Sequence, residues 1–165
     1  MRVFGVIGWK DSGKTTLVER LITELTGRGL RVSTIKHAHH AFEIDHEGRD
    51  SHRHRMAGAA EVLVASRARW ALMAELRGEE EPALPALLAK LSPCDLVLIE
   101  GYKGGRHPKV EAVRAETAKR PPIATDDGTV VLLATDAPLN IDRPQLSLDD
   151  VAGIADVALR EAAPC

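Results

Sequence analysis

Residues 8 to 15 read Gly8-Trp9-Lys10-Asp11-Ser12-Gly13-Lys14-Thr15. This octapeptide matches G-x-x-x-x-G-K-[ST], the Walker A or phosphate-binding loop (P-loop) pattern of nucleotide-binding proteins. Gly8 and Gly13 allow the tight backbone that directs successive N–H groups at phosphates. Lys14 would reach the β- and γ-phosphates, and the hydroxyl of Thr15 would ligate Mg²⁺. The stretch therefore predicts a nucleotide site.

The sequence on either side of the loop has the pattern that such a site needs. Residues 2 to 7 (RVFGVI) form a short apolar run that is typical of a buried strand. After the loop, apolar residues recur with helical spacing at Leu17, Val18, Leu21, Ile22 and Leu25. Strand, loop and helix follow in the required order, and the helix N-terminus adds partial positive charge for an anion.

Length and composition limit the other possibilities. A chain of 165 residues with 44% hydrophobic content predicts one domain over residues 1–165. A net charge of −2 and an aromatic content of 3% argue against a nucleic-acid binder. No segment has the pattern of a signal peptide or a membrane span, so we expect a cytoplasmic protein without membrane association. Cys94 and Cys165 lack metal-binding or redox spacing.

The order of the remaining segments predicts an α/β fold of the P-loop NTPase type. Strand-like and helix-like patterns alternate, which indicates a mostly parallel sheet flanked by helices. Further strands are predicted at 31–36, 95–100, 109–113 and 130–134, and helices from near Pro82 to Leu91 and from near Ser147. Apolar runs at 62–65 and 70–73 predict an added β-hairpin.

Glu100 is the best candidate for an acidic group opposite Thr15. It ends the apolar run 95–100, at the carboxyl edge of the predicted sheet where ligands of open α/β folds bind. A carboxylate there can hold Mg²⁺ directly or through water. Asp95 begins the same strand, about 17 Å away at ~3.4 Å per residue, and cannot share that role. The alternative is that Glu100 is an ordinary surface carboxylate.

Residues 37 to 58 contain six of the seven histidines. One hypothesis is a mobile loop over the nucleotide, whose histidines and carboxylates contact phosphates, Mg²⁺ or a second anionic ligand. The others are a transition-metal site and plain solvated surface. His37 is a candidate nucleotide contact. Asp50 begins a short predicted helix and is a candidate either for a third Mg²⁺-side carboxylate or for a helix N-cap.

Several further segments accompany the phosphate loop in a characteristic order. They are the loop from Gly8 to Thr16, Ile35-Lys36-His37-Ala38-His39-His40, Asp45-x-x-Gly48-x-Asp50-Ser51, Ala57-Gly58-Ala59, Arg69-Trp70-Ala71-Leu72-Met73, Glu100-Gly101-Tyr102-Lys103, Pro108-Lys109-Val110-Glu111 and Pro138-Leu139-Asn140. With these segments the chain resembles the molybdopterin-guanine dinucleotide biosynthesis protein B family. The combination of K-H-x-H-H, D-S and E-G-[FY]-K is its specific part.

The resemblance implies GTP binding with weak Mg²⁺-dependent hydrolysis and a homodimer. It also implies an accessory role beside the molybdopterin guanylyltransferase and other molybdenum-cofactor biosynthesis proteins. The guanine-reading N-K-x-D motif of GTPases is missing, so the sequence itself does not assign GTP over ATP. Asp126 and Asp136 each follow a short apolar run and are candidates either for guanine contacts or for turn residues; Asp136 is the one we select.

We expect slow attack of water on the γ-phosphate, with Lys14, Thr15 and Glu100 as the catalytic set and positioning and electrostatics as the source of catalysis. Two alternatives remain open at this point. The first is a small-molecule kinase on the same scaffold. The second is a non-catalytic pterin-binding adaptor whose nucleotide tunes its affinity for partners.

Overall fold

The computed structural model describes residues 1–38, 42–115 and 119–165. These residues form two units, one made of Met1–His37 with Leu87–Cys165 and the other of Ala38–Ala86. The elements in chain order are β1 (Arg2–Ile7), α1 (Lys14–Gly27), β2 (Val32–Lys36), α2 (Asp50–Met56), β3 (Glu61–Ala65), β4 (Trp70–Ala74), α3 (Leu84–Leu88), β5 (Leu96–Glu100), β6 (Lys109–Val113), a 3₁₀ helix (Ile123–Thr125), β7 (Val130–Thr135), β8 (Gln145–Ser147), α4 (Val151–Glu161) and β9 (Ala163–Pro164). The prediction of a single domain stays a prediction.

The first unit is built on a sheet with the strand order β2-β5-β1-β6-β7-β8, in which all neighbours are parallel. In the register, Val6 of β1 and Lys36 of β2 both lie beside Glu100 of β5. The carboxyl ends of these three strands therefore meet at one edge, from which the phosphate loop leaves β1. β9 adds a short antiparallel pairing at Arg2 and Val3 of β1.

Both faces of the central strands are buried, which explains their nearly continuous apolar runs. On one face, β1 packs against the helices α1 and α4 through side chains that include Phe4, Leu21 and Ile154, all fully buried. On the other face, a smaller cluster surrounds Ile7 and Leu133. The apolar spacing after the loop is thus the buried side of α1, as predicted.

Two predicted helices have different bounds in the structure. The helix predicted from Pro82 to Leu91 is α helix only over Leu84–Leu88. Beyond it the chain tightens into 3₁₀-type turns, in which the N–H groups of Lys90 and Leu91 donate to the carbonyls of Leu87 and Leu88. The last helix begins at Val151 rather than near Ser147. The carboxylate of Asp150 caps it by accepting the N–H of Gly153 at 3.0 Å.

The second unit contains α2 and the predicted hairpin. β3 and β4 pair antiparallel, with Leu63 opposite Leu72 and Ala65 opposite Trp70. Within this unit the guanidinium of Arg55 in α2 lies 2.6 Å from Glu75 and 3.3 Å from Glu43. No helix in the described ranges is long and apolar enough to cross a membrane.

Candidate functional site

The backbone of the phosphate loop has the conformation that its glycines predict. Gly8 has φ +149°, and a Cβ there would lie 2.4 Å from Ser12 Oγ and 2.5 Å from the carbonyl oxygen of Ala112. Gly13 has φ +91°, in the left-handed region. Side chains at these two positions would collide or strain the backbone, so the loop requires glycine at both.

The N-terminus of α1 presents unused hydrogen-bond donors to this loop. The first helical hydrogen bond runs from the N–H of Leu17 to the carbonyl of Gly13 at 2.9 Å, and no side chain caps the helix. The N–H groups from Gly13 to Thr16 therefore lack acceptors among the described residues. The buried Oγ of Ser12 also has no partner in the described part of the chain. Open N–H groups, an unpartnered hydroxyl and the helix dipole together fit a phosphate group.

Lys14 is held on the loop itself. Its Nζ donates to the carbonyl oxygen of Trp9 at 2.7 Å. Burial lowers the pKa of Lys14, and the nearby charge of Lys103 lowers it further, whereas Glu100 and Asp11 act in the opposite direction. The ammonium group thus stands beside the open N–H groups with a backbone oxygen as its acceptor.

Thr15 and Glu100 are in direct contact at the carboxyl edge of the sheet. Thr15 Oγ1 donates to Glu100 Oε1 at 2.9 Å, and Lys36 Nζ lies 3.4 Å from the same oxygen. The Glu100 side chain is only 12% exposed. A hydroxyl and a carboxylate are ligands that suit Mg²⁺, so this pair fits the metal expected beside a bound nucleotide. Asp95, at the opposite strand end, is exposed to solvent as expected, and its carboxylate accepts the N–H of Arg31 at 2.7 Å.

Asp136 interacts with an arginine beside the loop. Its Oδ1 accepts the N–H of Ala115 at 2.7 Å, and its Oδ2 lies 3.9 Å from Arg114 Nη1. The Arg114 guanidinium is 3.5 Å from the position that a Cβ on Gly13 would take. Asp136 therefore helps to hold a cation against the phosphate loop. Its predicted contact with guanine stays a prediction.

The residues selected from the histidine-rich segment fall in different units. His37 follows β2 in the first unit, where its N–H donates to the carbonyl of Glu100 at 2.9 Å and its ring lies 4.5 Å from that of Tyr102. Asp50 is in the second unit, with its side chain 90% exposed and 3.8 Å from Arg53. The N-cap of α2 is Arg49, so the N-cap interpretation of Asp50 is wrong; Asp50 is the first helical residue.

The metal-site hypothesis for this segment involves residues that lie partly outside the described ranges, since His39 and His40 are among those not described. Within the described ranges, no three His, Cys, Asp or Glu side chains are grouped closely enough to hold a metal ion. The roles predicted for His37 and Asp50 toward a nucleotide and Mg²⁺ stay predictions.

Sequence reasoning missed a group of residues around Trp9. The indole Nε1 donates to the carbonyl of Pro121 at 2.9 Å, while Lys103 Nζ lies 4.1 Å and Arg120 Cζ 4.8 Å from the ring centroid. Lys103 had a signal in the sequence, because it ends the Glu100-Gly101-Tyr102-Lys103 motif. Arg120 lies in no motif, and only the fold brings it to the loop.

The roles of two fully buried charges on β6, Lys109 and Glu111, were missed as well, although both belong to the segment Pro108-Lys109-Val110-Glu111. Glu111 accepts the N–H groups of Ile123 and Ala124, both at 2.8 Å. Its pKa is raised by burial, against the effect of these two hydrogen bonds. Lys109 Nζ donates to Thr129 Oγ1 at 2.6 Å and to the carbonyl oxygens of Gly105 and Lys103. Both side chains fasten loops to the sheet next to the candidate site.

The chain is similar to proteins of known family along most of its length. It is 43% identical over 150 residues to a molybdopterin-guanine dinucleotide biosynthesis adapter protein of Escherichia coli (strain K12), which covers 90% of this chain and 86% of that protein. It is 42% identical over 154 residues to the protein of the same description from Haemophilus influenzae, covering 93% of this chain and 85% of the relative.

A solved structure shows the same architecture. The crystal structure of a MobB protein homolog from Bacillus stearothermophilus superimposes with a TM-score of 0.72 at 30% sequence identity, over 98% of this chain and 97% of that one. The predicted P-loop NTPase fold, a mostly parallel sheet with helices and an added hairpin, is thereby confirmed. The family model of molybdopterin guanine dinucleotide synthesis protein B matches residues 3–136. On this evidence the chain belongs to the molybdopterin guanine dinucleotide synthesis protein B family.

Proposed function

We propose that this chain is an adapter in molybdopterin-guanine dinucleotide biosynthesis that binds Mg²⁺·GTP at the phosphate loop and hydrolyses it slowly. The adapter role follows from the family and from the names of its relatives. One observation carries the nucleotide part. The uncapped N-terminus of α1 and Lys14 lie beside the hydrogen-bonded pair of Thr15 and Glu100. Phosphate donors and metal ligands thus stand together, as a Mg²⁺-nucleotide requires.

Each side chain has a separate part in this proposal. The loop N–H groups and Lys14 bind the β- and γ-phosphate oxygens, and Lys14 exchanges the Trp9 carbonyl for them. Thr15 and Glu100 hold Mg²⁺. When bound, the metal neutralises charge on the phosphate oxygens. The assembled residues supply charge and positioning rather than a general base, which favours slow turnover.

The hairpin supports the homodimer that the family resemblance implies. Leu63 is 60% exposed, Leu72 40% and Trp70 64%, and strand alternation places all three on one face. A two-stranded hairpin is marginally stable alone, so a second copy of the chain is the occupant that we propose for this face. Analytical ultracentrifugation should show a dimer that the Leu63→Ser/Leu72→Ser variant weakens; an unchanged dimer would exclude this face.

The nucleotide proposal is tested by calorimetric titration with Mg²⁺·GTP and Mg²⁺·ATP and by phosphate release. GTP should bind more tightly than ATP and only with Mg²⁺, and turnover should be about 10⁻⁴ to 10⁻² s⁻¹, as in GTPases without an activating partner. Transfer of the γ-phosphate to a small acceptor would instead indicate a kinase. Binding without turnover would indicate an adaptor that nucleotide only regulates.

The proposed partner is the molybdopterin guanylyltransferase. We expect it to associate with this chain in sedimentation or pull-down experiments with purified proteins, and the GTP-bound and GTP-free forms to differ in affinity. If the GTP-bound and GTP-free forms bind the guanylyltransferase with equal affinity, the adapter role does not depend on the nucleotide. If the two proteins do not associate, the guanylyltransferase is excluded as a direct partner.

A further inference from the structure

Two cationic side chains, those of Lys103 and Arg120, converge on the indole of Trp9. Lys103 follows β5, and Arg120 precedes the 3₁₀ helix, so two separate loops bring them to the ring. Their charged groups lie 4.1 and 4.8 Å from its centroid. Neither side chain makes a hydrogen bond or an ion pair with another residue in the described ranges. The π face compensates part of the charge.

The two cations also interact unfavourably with each other and with the phosphate loop. Burial lowers the pKa of Lys103 and the positive charge of Arg120 lowers it further, whereas the charge of Glu111 acts in the opposite direction. Lys103 in turn lowers the pKa of Lys14. Three cations are therefore within electrostatic reach in the order Lys14, Lys103, Arg120. Such an arrangement is stabilised when an anion binds among them.

The two loops that carry Lys103 and Arg120 are held in place by hydrogen bonds to the two buried charges of β6, Lys109 and Glu111. Lys109 Nζ donates to the carbonyl oxygens of Lys103 and Gly105, in the first loop. Burying an ammonium group is costly, and here Asp127, with Oδ2 at 3.3 Å from Lys109 Nζ, offsets part of that cost.

The second loop is fastened by Glu111. This carboxylate accepts the N–H groups of Ile123 and Ala124, immediately after the segment that carries Arg120. In the same segment the carbonyl of Pro121 accepts the indole N–H of Trp9. One strand thus positions both cations and the ring before any ligand arrives. Preorganised charges of this kind are typical of a binding site.

We propose that Lys103 and Arg120, over the indole of Trp9, bind the phosphate monoester of a second ligand beside the nucleotide. A phosphate monoester carries about −1.5 to −2 charge at pH 7, which matches two cations. Arg120 offers a planar fork of donors and Lys103 a point charge. In the proposed function the nucleotide's own phosphates are bound by the loop N–H groups and Lys14, so Lys103 and Arg120 are left for a second ligand. The inference rests on the proposed function, because it gives the adapter a phosphorylated small molecule to hold.

The test uses Trp9 as its own reporter. The chain has two tryptophans, so the Trp70→Phe variant leaves Trp9 as the sole source of indole fluorescence. The full-length variant is saturated with Mg²⁺ and a non-hydrolysable GTP analogue and titrated with glycerol 3-phosphate, with glycerol as the neutral control. We expect a saturable change with glycerol 3-phosphate alone.

Lys103→Ala and Arg120→Ala should each weaken this binding about tenfold or more, the loss expected for a charged hydrogen bond. Lys119→Ala, which removes an exposed cation adjacent to Arg120, should leave it unchanged. Absence of a saturable change, or an equal effect of Lys119→Ala, would overturn the proposal. Competition between glycerol 3-phosphate and the GTP analogue would also overturn it, since the cations would then serve the nucleotide's phosphates.

A separate arm distinguishes failure of this site from failure of the nucleotide site. In nucleotide-free protein carrying both Lys14→Ala and Trp70→Phe, glycerol 3-phosphate should still change Trp9 fluorescence, and Arg120→Ala should abolish that change. If the wild type binds no GTP but this response persists, only the proposed function fails. If GTP binds and the response is absent, only the second site fails.

Discussion

Thr15 Oγ1 and Glu100 Oε1 are joined by a 2.9 Å hydrogen bond although the two residues are 85 positions apart in the sequence. The parallel pairing of β1 with β5 creates this contact, because it places Val6 beside Glu100 just before the chain enters the loop. In the proposed nucleotide-bound state both oxygens face Mg²⁺, so the metal would replace this hydrogen bond.

Glu100→Gln should weaken the Mg²⁺-dependent part of GTP binding. The amide keeps the shape of the side chain and its hydrogen bond with Thr15, but it removes the negative charge that faces the metal. The measurement is GTP affinity as a function of Mg²⁺ concentration. Asp95→Asn is the matched control, because Asp95 lies at the opposite end of the strand, where its carboxylate accepts the N–H of Arg31. Equal changes in the Mg²⁺ dependence of both variants would contradict the assignment of Glu100.

Lys14→Ala should reduce GTP affinity by roughly 30- to 1000-fold, corresponding to about 2 to 4 kcal/mol for an ammonium–phosphate contact in a partly desolvated site. Calorimetric titration measures the effect, and circular dichroism checks that the variant is folded. Lys90→Ala removes an exposed lysine after α3 and serves as the charge control. A folded Lys14→Ala protein that binds GTP within threefold of the wild type would exclude the phosphate-loop assignment.

The sequence predicts those parts of the fold that depend on local patterns. The apolar run before Gly8, the helical spacing after Thr15 and the alternation in the hairpin each identify their element, because burial follows directly from the period of the apolar residues. Glu100 could be placed opposite Thr15 because parallel strands end at a common edge. The predicted helix ends are less accurate. Ser147 and Asp150 are both suitable N-cap residues for the last helix, and the sequence alone does not choose between them.

The remaining features depend on contacts between distant parts of the chain. Lys109 and Glu111 are charged residues in a strand, a pattern that normally indicates a solvated face. They are buried because Asp127, Thr129 and the N–H groups at 123 and 124 arrive from a later segment. Arg120 likewise comes to the Trp9 ring from this later part of the chain. No local pattern encodes such partners, so the convergence of Lys103 and Arg120 on Trp9 could only be found in the structure.

The stability of the protein should fall as the pH drops from about 6.5 toward 4. Burial lowers the pKa of His107 to about 4, and the adjacent charge of Lys109 acts in the same direction. In the unfolded chain this imidazole takes up its proton near pH 6.5. A lowered pKa in the folded state contributes stability above the unfolded pKa, and this stability is lost as the pH falls through the folded pKa.

The loss attributable to His107 is about 2 kcal/mol between pH 7 and pH 4.5, from a shift of this size. Urea unfolding at both pH values gives the measurement. His107→Leu should lose correspondingly less stability, because His107 Nε2 is buried without a partner among the described residues and leucine fills a similar volume. The same pH dependence in wild type and variant would show that other groups cause it.

Of the three interpretations of the histidine-rich segment, residues 37 to 58, limited trypsin digestion should distinguish the nucleotide-contacting loop from the metal site. Arg49 and Arg53 are exposed cleavage sites within it, and Arg67, in the hairpin connection, is an exposed control site outside it. If the segment contacts the nucleotide, Mg²⁺ with a GTP analogue should slow cleavage at Arg49 and Arg53 but not at Arg67, because phosphate contacts oppose local opening.

A metal site in this segment predicts a different result. Stoichiometric zinc or nickel, lost when His37, His39 and His40 are replaced, combined with a cleavage pattern that nucleotide does not change, would exclude the nucleotide-responsive loop, since the metal ion would then hold the segment.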